Sequence, residues 1–491
     1  MQQETRTETA NAEFEFHTKA TRIENARRRE VANARMDLSN LPTCIENVRK
    51  AVLTNFQGPE DATDYDQLRG RLEAAKGKFS PRYQEVVVEP FIHKLGKLGR
   101  QGFTDILLRD SMRNNTARLM LDIAQAILQN AEGYKALATD AFQEVVSDLY
   151  DGFLSAEDRG GIHPPDLSVV PAVVKWGEPD SGPYTWPIDA TSALGLEAAV
   201  VSVPPIHAET GLLAWSSISH EVCGHDILHA DIGLINQLAE AVKAALHEKN
   251  IDYGLPEYWS SRIDETASDV LGVLNLGPAA AIGLVGYFRG MNAAFTGKAQ
   301  LRNNGPAQDP HPADILRGYL GAYSTGLLVF EQAGEWEKVI EAETDKDLTS
   351  IRLAGTMVNT DIAKQSARIV ANAIMKTKLK SLENHSLDQI QNWRDRDESI
   401  SAFLRTLLRT TGSLTEEYKT GFYAAHVVAA AITEALSQDV DIDVVFNRMI
   451  TLLKVMHDTN PAWGPLFINH SGDIVRHLVY YPSDESTIVL H

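Results

Sequence analysis

The chain has 491 residues, with 46 Lys and Arg set against 66 Asp and Glu. The formal net charge of −20 argues against a nucleic-acid partner, because displacing phosphate counterions takes a Lys/Arg surface. The length exceeds the roughly 250–300 residues at which a single core stops growing, so two or three lobes are expected, and 44% hydrophobic with 23% charged residues describes an ordered globular protein rather than a disordered one.

In chain order, the opening "MQQETRTETANAEFEF" has neither the basic start nor the apolar core of a secretory signal, so cytoplasmic residence is expected. Only Cys44 and Cys223 occur, and no disulfide framework is expected. From about Arg22 to Tyr150, apolar residues recur at three- and four-residue spacing, which predicts an N-terminal helical lobe over 1–150. The basic run at 26–31 reads as a solvated helix face. From Gly152 to Pro205, prolines and glycines punctuate short apolar runs such as "LSVVPAVVKW" and "LEAAVVSVPP", which predicts short strands.

Helical periodicity resumes near Glu209. The stretch "LGPAAAIGLVGYFRGMNAAF" is broken by Arg289 and rich in glycine, so it reads as a buried helix rather than a membrane span, and no membrane partner is expected. "GFYAAHVVAAAITEAL" is apolar nearly all round, a buried helix in which His426 is a core histidine. The expected fold is mainly α with a small β-sheet. Three lobes follow: a helical lobe over 1–150, a central region with short strands and the histidine-bearing "HEVCGH" helix over 151–330, and a C-terminal helical lobe over 331–491.

The chemistry concentrates in "SSISHEVCGHDILHAD". His220 and His225 stand five apart, which in a regular helix turns them about 140° away from each other. A one-residue π-bulge would bring both onto one face, and Gly224 between them tolerates such a distortion. Glu221 would then flank a metal held by the two rings, in the general base's place of a zinc hydrolase. His225 and His229, four apart, form a rival pair, but only His220 with His225 puts Glu221 beside the water. Cys223 reads as a packing residue.

A catalytic zinc commonly has three protein ligands, often two His and a Glu. Forty residues after His225, "SSRIDETASDVLGVL" offers Glu265 as the third ligand and, one turn on, Asp269 to take a free ring N–H of a ligand histidine. His207 and Asp226 are further candidate supports. Downstream, "DPHPADILRGYLGAYSTG" supplies His311 and Tyr323 as candidate donors to a developing oxyanion.

These residues resemble the gluzincin metallopeptidases. "HEVCGH" is similar to the six-residue motif of the dipeptidyl peptidase III family, and "DETASDVLG" to the glutamate-helix segment of thermolysin-type enzymes. The resemblance covers about 207–275. It implies a multi-lobed zincin-like metallopeptidase in which His220, His225 and Glu265 hold Zn²⁺, Glu221 is the base and Asp269 supports a ligand histidine. It also implies that "LEAAVVSVPP", if it forms an edge strand, receives an extended peptide; the continuous apolar run by itself slightly favours a core strand. The expected substrate is a peptide, an oligopeptide rather than a folded protein, or a small amide. The alternatives are a non-catalytic zinc-binding helical scaffold and a zinc hydrolase of non-peptide amides or esters.

Overall fold

The computed structural model describes residues 36–459, except 114, 155–161, 164, 168–169, 180–181 and 411–422, together with four two-residue strands beyond 459. The start of the expected N-terminal helical pattern and the basic run at 26–31 lie outside the described residues, as does most of 460–491.

The architecture is mainly helical with small mixed sheets. The first helix, α1 (Leu41–Leu53), has Pro42 in its opening turn and buries Leu41, Cys44, Ile45 and Val48 along one stripe. Asp64 caps α2 (Tyr65–Ala75) by accepting the Gln67 N–H at 2.8 Å. A kinked α3 (Glu89–Arg109), α4 (Thr116–Glu132) and α5 (Ala136–Leu154) follow.

Three short strands come next: β1 (Val173–Trp176), β2 (Tyr184–Trp186) and β3 (Val200–Val203). Their order is β1-β3-β2, with β3 parallel to β1 and antiparallel to β2. This corrects one expectation. "LEAAVVSVPP" supplies β3, the central strand, whose two edges are already paired, so it cannot receive a peptide. Its continuous apolar run is what a strand covered on both faces requires. Alternation along the strands divides their side chains between two cores: Val173 and Val200 enter a smaller one built with α2, α3 and α4, while Val174, Trp176, Val201 and Val203 enter a larger one.

The larger core also takes α1, α5 and most of the later helices. The segments Ser216–Ser219, His220–Asp226 and Ile227–Ala230 run on as one helix, α6, and α7 (Leu234–Glu248), α8 (Ile263–Leu276) and α9 (Pro278–Thr296) follow. β4 (Asn304–Gly305) pairs with a hairpin of β5 (Ile351–Leu353) and β6 (Thr356–Val358). Around it lie α10 (Asp314–Gly326), α11 (Ala333–Asp345) and α12 (Thr360–Lys376), then α13 (Asp395–Arg409), α14 (Ala424–Ala435) and α15 (Ile442–Thr459). The core is continuous from α1 to α15, so it runs across the expected divisions at 150 and 330.

The glycine-rich apolar segment is α9, buried along most of its length. Arg289 is admitted to it because Asp347 and Glu343 on the neighbouring α11 and its flank accept its guanidinium hydrogen bonds. No helix among the described residues is long and apolar enough to cross a membrane. His426 on α14 is a core histidine with both ring nitrogens engaged, by the Tyr423 N–H at 3.0 Å and by Asp397 at 3.0 Å.

Helices α6 and α8 cross in close contact at Gly224 and Ser268. A Cβ placed on Gly224 would lie 2.1 Å from both Cβ and Oγ of Ser268 and 2.5 Å from its Cα. Gly224 therefore serves close approach, and its φ is not positive. Gly224→Ala should cost about 1–3 kcal/mol through overpacking. Gly70→Ala, mid-helix in α2 with nothing within 4 Å, should instead stabilise by about 0.4–1 kcal/mol. Equilibrium urea unfolding of the two variants tests the contrast, and equal midpoints would refute it.

Candidate metal centre

The segment "HEVCGHD" forms a π-helix over His220–Asp226 inside α6, longer than a one-residue bulge. Its i→i+5 hydrogen bonding widens each turn and returns residues five apart to one face. The two imidazoles accordingly lie with ring centroids 5.0 Å apart. Regular α-helix resumes at Ile227, which leaves His229 one ordinary turn beyond His225.

Helix α8 packs against this segment and brings Glu265 to the histidine pair. Glu265 Oε2 lies 3.1 Å from His220 Nε2, and Oε1 lies 3.6 Å from His225 Nε2. One donor atom from each of the three residues can be chosen so that all lie within 4.8 Å of one another. Donors about 2.0–2.1 Å from an ion at tetrahedral angles sit roughly 3.3 Å apart, so this set fits zinc in size and in chemistry.

The opposite ring nitrogens are also held. Asp269 Oδ1 lies 2.9 Å from His220 Nδ1, and Arg317 on α10 grips the same carboxylate with two hydrogen bonds of 2.7 Å. Asp264 Oδ1 lies 3.2 Å from His225 Nδ1. Each histidine thus turns Nε2 toward Glu265 and Nδ1 toward a carboxylate, the arrangement that fixes the tautomer of a ligand histidine. Asp264 and Arg317 were not assigned these roles from the sequence; Asp264 adjoins Glu265, and only the bulged geometry shows that it can serve the second ring.

Glu221 is buried beside the pair, and Thr185 of β2 donates its hydroxyl hydrogen bond to Glu221 Oε2 at 2.9 Å. Thr185 was missed because its partner lies across the sheet edge, where sequence spacing carries no signal. His311, in the loop between β4 and α10, places Nε2 3.3 Å from Glu265 Oε1, and Asp309 holds its Nδ1 at 3.0 Å. Arg262 ties this loop down through the carbonyls of Pro306 and Ala307.

Tyr323 lies elsewhere. Its hydroxyl donates to Glu341 of α11 at 2.9 Å, and the Arg368 guanidinium of α12 sits over its ring. Six positions beyond Arg317 on a regular helix is about 120° round the axis, so the two side chains face different neighbours. His207 bonds the Thr210 carbonyl instead of a ligand, and burial pushes its pKa down to about 4. Asp226 is buried behind the helix, where desolvation raises its carboxyl to about 8. Cys223 is fully buried, with its thiol held protonated by burial.

The charge balance favours a cation. Burial alone would lower the pKa of His220, but the hydrogen bonds that its ring gives to Asp269 and Glu265 outweigh it and leave the value raised. Burial likewise opposes protonation of His225, while Asp264, Glu265 and Glu221 carry it well above the ordinary value. Burial raises Glu265, yet His220 and His225 hold it far below the usual carboxylate range. In the metal-free protein the surrounding carboxylates favour the protonated rings, so a proton competes with the ion for these nitrogens.

Two outcomes follow. Asp269→Asn should weaken zinc about 10–100-fold, measured by competition with a chromophoric chelator, because the His220 tautomer is no longer fixed; unchanged affinity would refute the support. Since two raised imidazolium protons must leave before both histidines can ligate, zinc affinity should climb by up to about a hundredfold per pH unit below those values and level off above them. An affinity flat between pH 5 and 8 would contradict the assignment. No family model, curated protein or solved structure matches the chain, so the reading of this centre rests on its own residues and geometry.

Proposed function

We propose that the chain is a zinc-dependent metallopeptidase of zincin-like type that acts on oligopeptides in the cytoplasm. The observation that carries this reading is the placement of Glu221, a carboxylate with no use in a purely structural site, beside a set of two histidines and a glutamate in which both rings are backed by carboxylates. A zinc ion held by His220, His225 and Glu265 supplies Lewis acidity toward a carbonyl oxygen and acidifies water.

The remaining work falls to side chains. Glu221 accepts the proton of the attacking water and delivers it to the departing nitrogen, with Thr185 donating a hydrogen bond to one of its carboxylate oxygens. His311 Nε2, close to Glu265, is positioned to donate to the oxygen that gains charge. Tyr323 takes no part. Among the described residues β2 pairs on one side only, with β3, and it carries Thr185. An extended peptide added along β2 would therefore run past Glu221, in the place first expected of β3.

Glu221→Gln tests the reading. The variant should keep the zinc content of the wild type by elemental analysis and lose about 10²–10⁴ of the peptidase rate on a panel of oligopeptides, whereas Glu265→Ala should lose the zinc that serves the reaction. A Glu221→Gln protein as active as wild type would overturn the mechanism. Faster hydrolysis of simple esters than of any peptide would move the substrate to the non-peptide class.

A further inference from the structure

A second group of metal-binding type adjoins the first. His225 Nδ1 lies 3.2 Å from Asp264 Oδ1, and His229 Nε2 lies 3.3 Å from Asp264 Oδ2. The three residues can bring one donor atom each within 4.8 Å of one another. We propose that His225, His229 and Asp264 bind a second, exchangeable divalent cation of the zinc, cobalt or copper class, with His225 bridging it to the first. The inference rests on the metal reading of His220, His225 and Glu265.

Several observations separate this group from an ordinary surface ion pair. The separations resemble those between the donors of the first site and lie at the long end for a hydrogen bond between a ring nitrogen and a carboxylate. The carboxylate aims one oxygen at each ring. The rear nitrogen of His229 is held in turn by Asp189 Oδ2 at 3.3 Å, which repeats the carboxylate backing that His220 receives from Asp269. The return from π- to α-helix at Ile227 is what puts His229 on the same face as His225.

Charge points the same way. Glu221, Asp264, Glu265, Asp269 and Asp189 converge on the two groups, while Arg317 is the one guanidinium bonded to any of them in the described structure. With neutral imidazoles, one divalent ion still leaves these side chains with a net negative charge. The other gatherings of this type, Asp140 with His457 and Asp458 and His163 with Asp166 and Asp231, each bring a single imidazole. Two imidazoles and a carboxylate select a borderline metal over calcium or magnesium.

Binding is written as a ligand exchange. The Nδ1–H proton that His225 gives to Asp264 in the one-metal form leaves to solvent, Nδ1 bonds the incoming ion, and Asp264 changes from acceptor to ligand. Side-chain exposures of 14% for His225, 19% for His229 and 40% for Asp264, against 6% for His220, put the second position on the solvent side and make it the faster to exchange.

The test is cobalt(II) titration of the metal-free full chain, followed by visible absorption and elemental analysis, for wild type, His229→Asn, Asp264→Asn and Glu265→Ala, with circular dichroism to verify folding. Two equivalents per wild-type chain are expected, the second removed first by a mild chelator and absent from both His229→Asn and Asp264→Asn. One equivalent in wild type, lost in Glu265→Ala, would overturn the second site and leave the hydrolase reading intact. No bound metal would overturn both. A second equivalent that persists unchanged in His229→Asn and Asp264→Asn would also overturn the proposal, because it would lie elsewhere.

Discussion

The arrangement depends on a change of helical pitch over seven residues. Were His220–Asp226 to wind as ordinary α-helix, His220 and His225 would point about 140° apart and Glu265 could serve only one of them. The wider turn is disfavoured in isolation, so something outside the segment must hold it. The contacts of α8 are the evident constraint: Ser268 lies against Gly224, so that a larger side chain at residue 224 would force the helices apart, and Gly272 lies close to Ser219. The same crossing sets Glu265 and Asp269 against the histidines, and Asp264 beside His225.

Around that crossing the polar groups form layers of decreasing burial. Asp269 and Arg317 are deep, and their paired charges are satisfied by two hydrogen bonds to each other and by His220. Removing either partner alone would strand the other in a low-dielectric setting, where an unpaired charge costs far more than the pair contributes. Asp264, His229 and Asp189 occupy the rim, where water can replace a lost partner. His311 also lies toward solvent, steadied by Asp309 and by a loop that Arg262 fastens to the start of α8.

Much of this was legible in the sequence because it depended on local spacing. A spacing of five between the histidines demanded a wider turn, and a spacing of four between Glu265 and Asp269 placed both on one face. The strand-rich texture between Gly152 and Pro205 likewise marked where the sheet would form. What depended on partners distant in the chain was not legible. The apolar run of β3 favoured a core strand over an edge but did not name its neighbours, which only the sheet supplies. Thr185 and Arg317 acquire their roles only through tertiary contact. Tyr323 had the right chemistry on the right helix, and its angular offset from Arg317 turned it toward α11 and α12.

The glycine at the helix crossing has a consequence for how the molecule can change. With a serine Cβ already where a methyl group on residue 224 would go, the joint between α6 and α8 has no slack, and no single enlargement there can alter the centre without also loosening the fold. Stability and chemistry are fused at Gly224 and Ser268. At Asp264, Asp189 and His229, which touch solvent, they come apart: those side chains can be exchanged while the scaffold stands. Variation that retunes the centre therefore has its freedom at the rim, and the crossing beneath it acts as a fixed pivot.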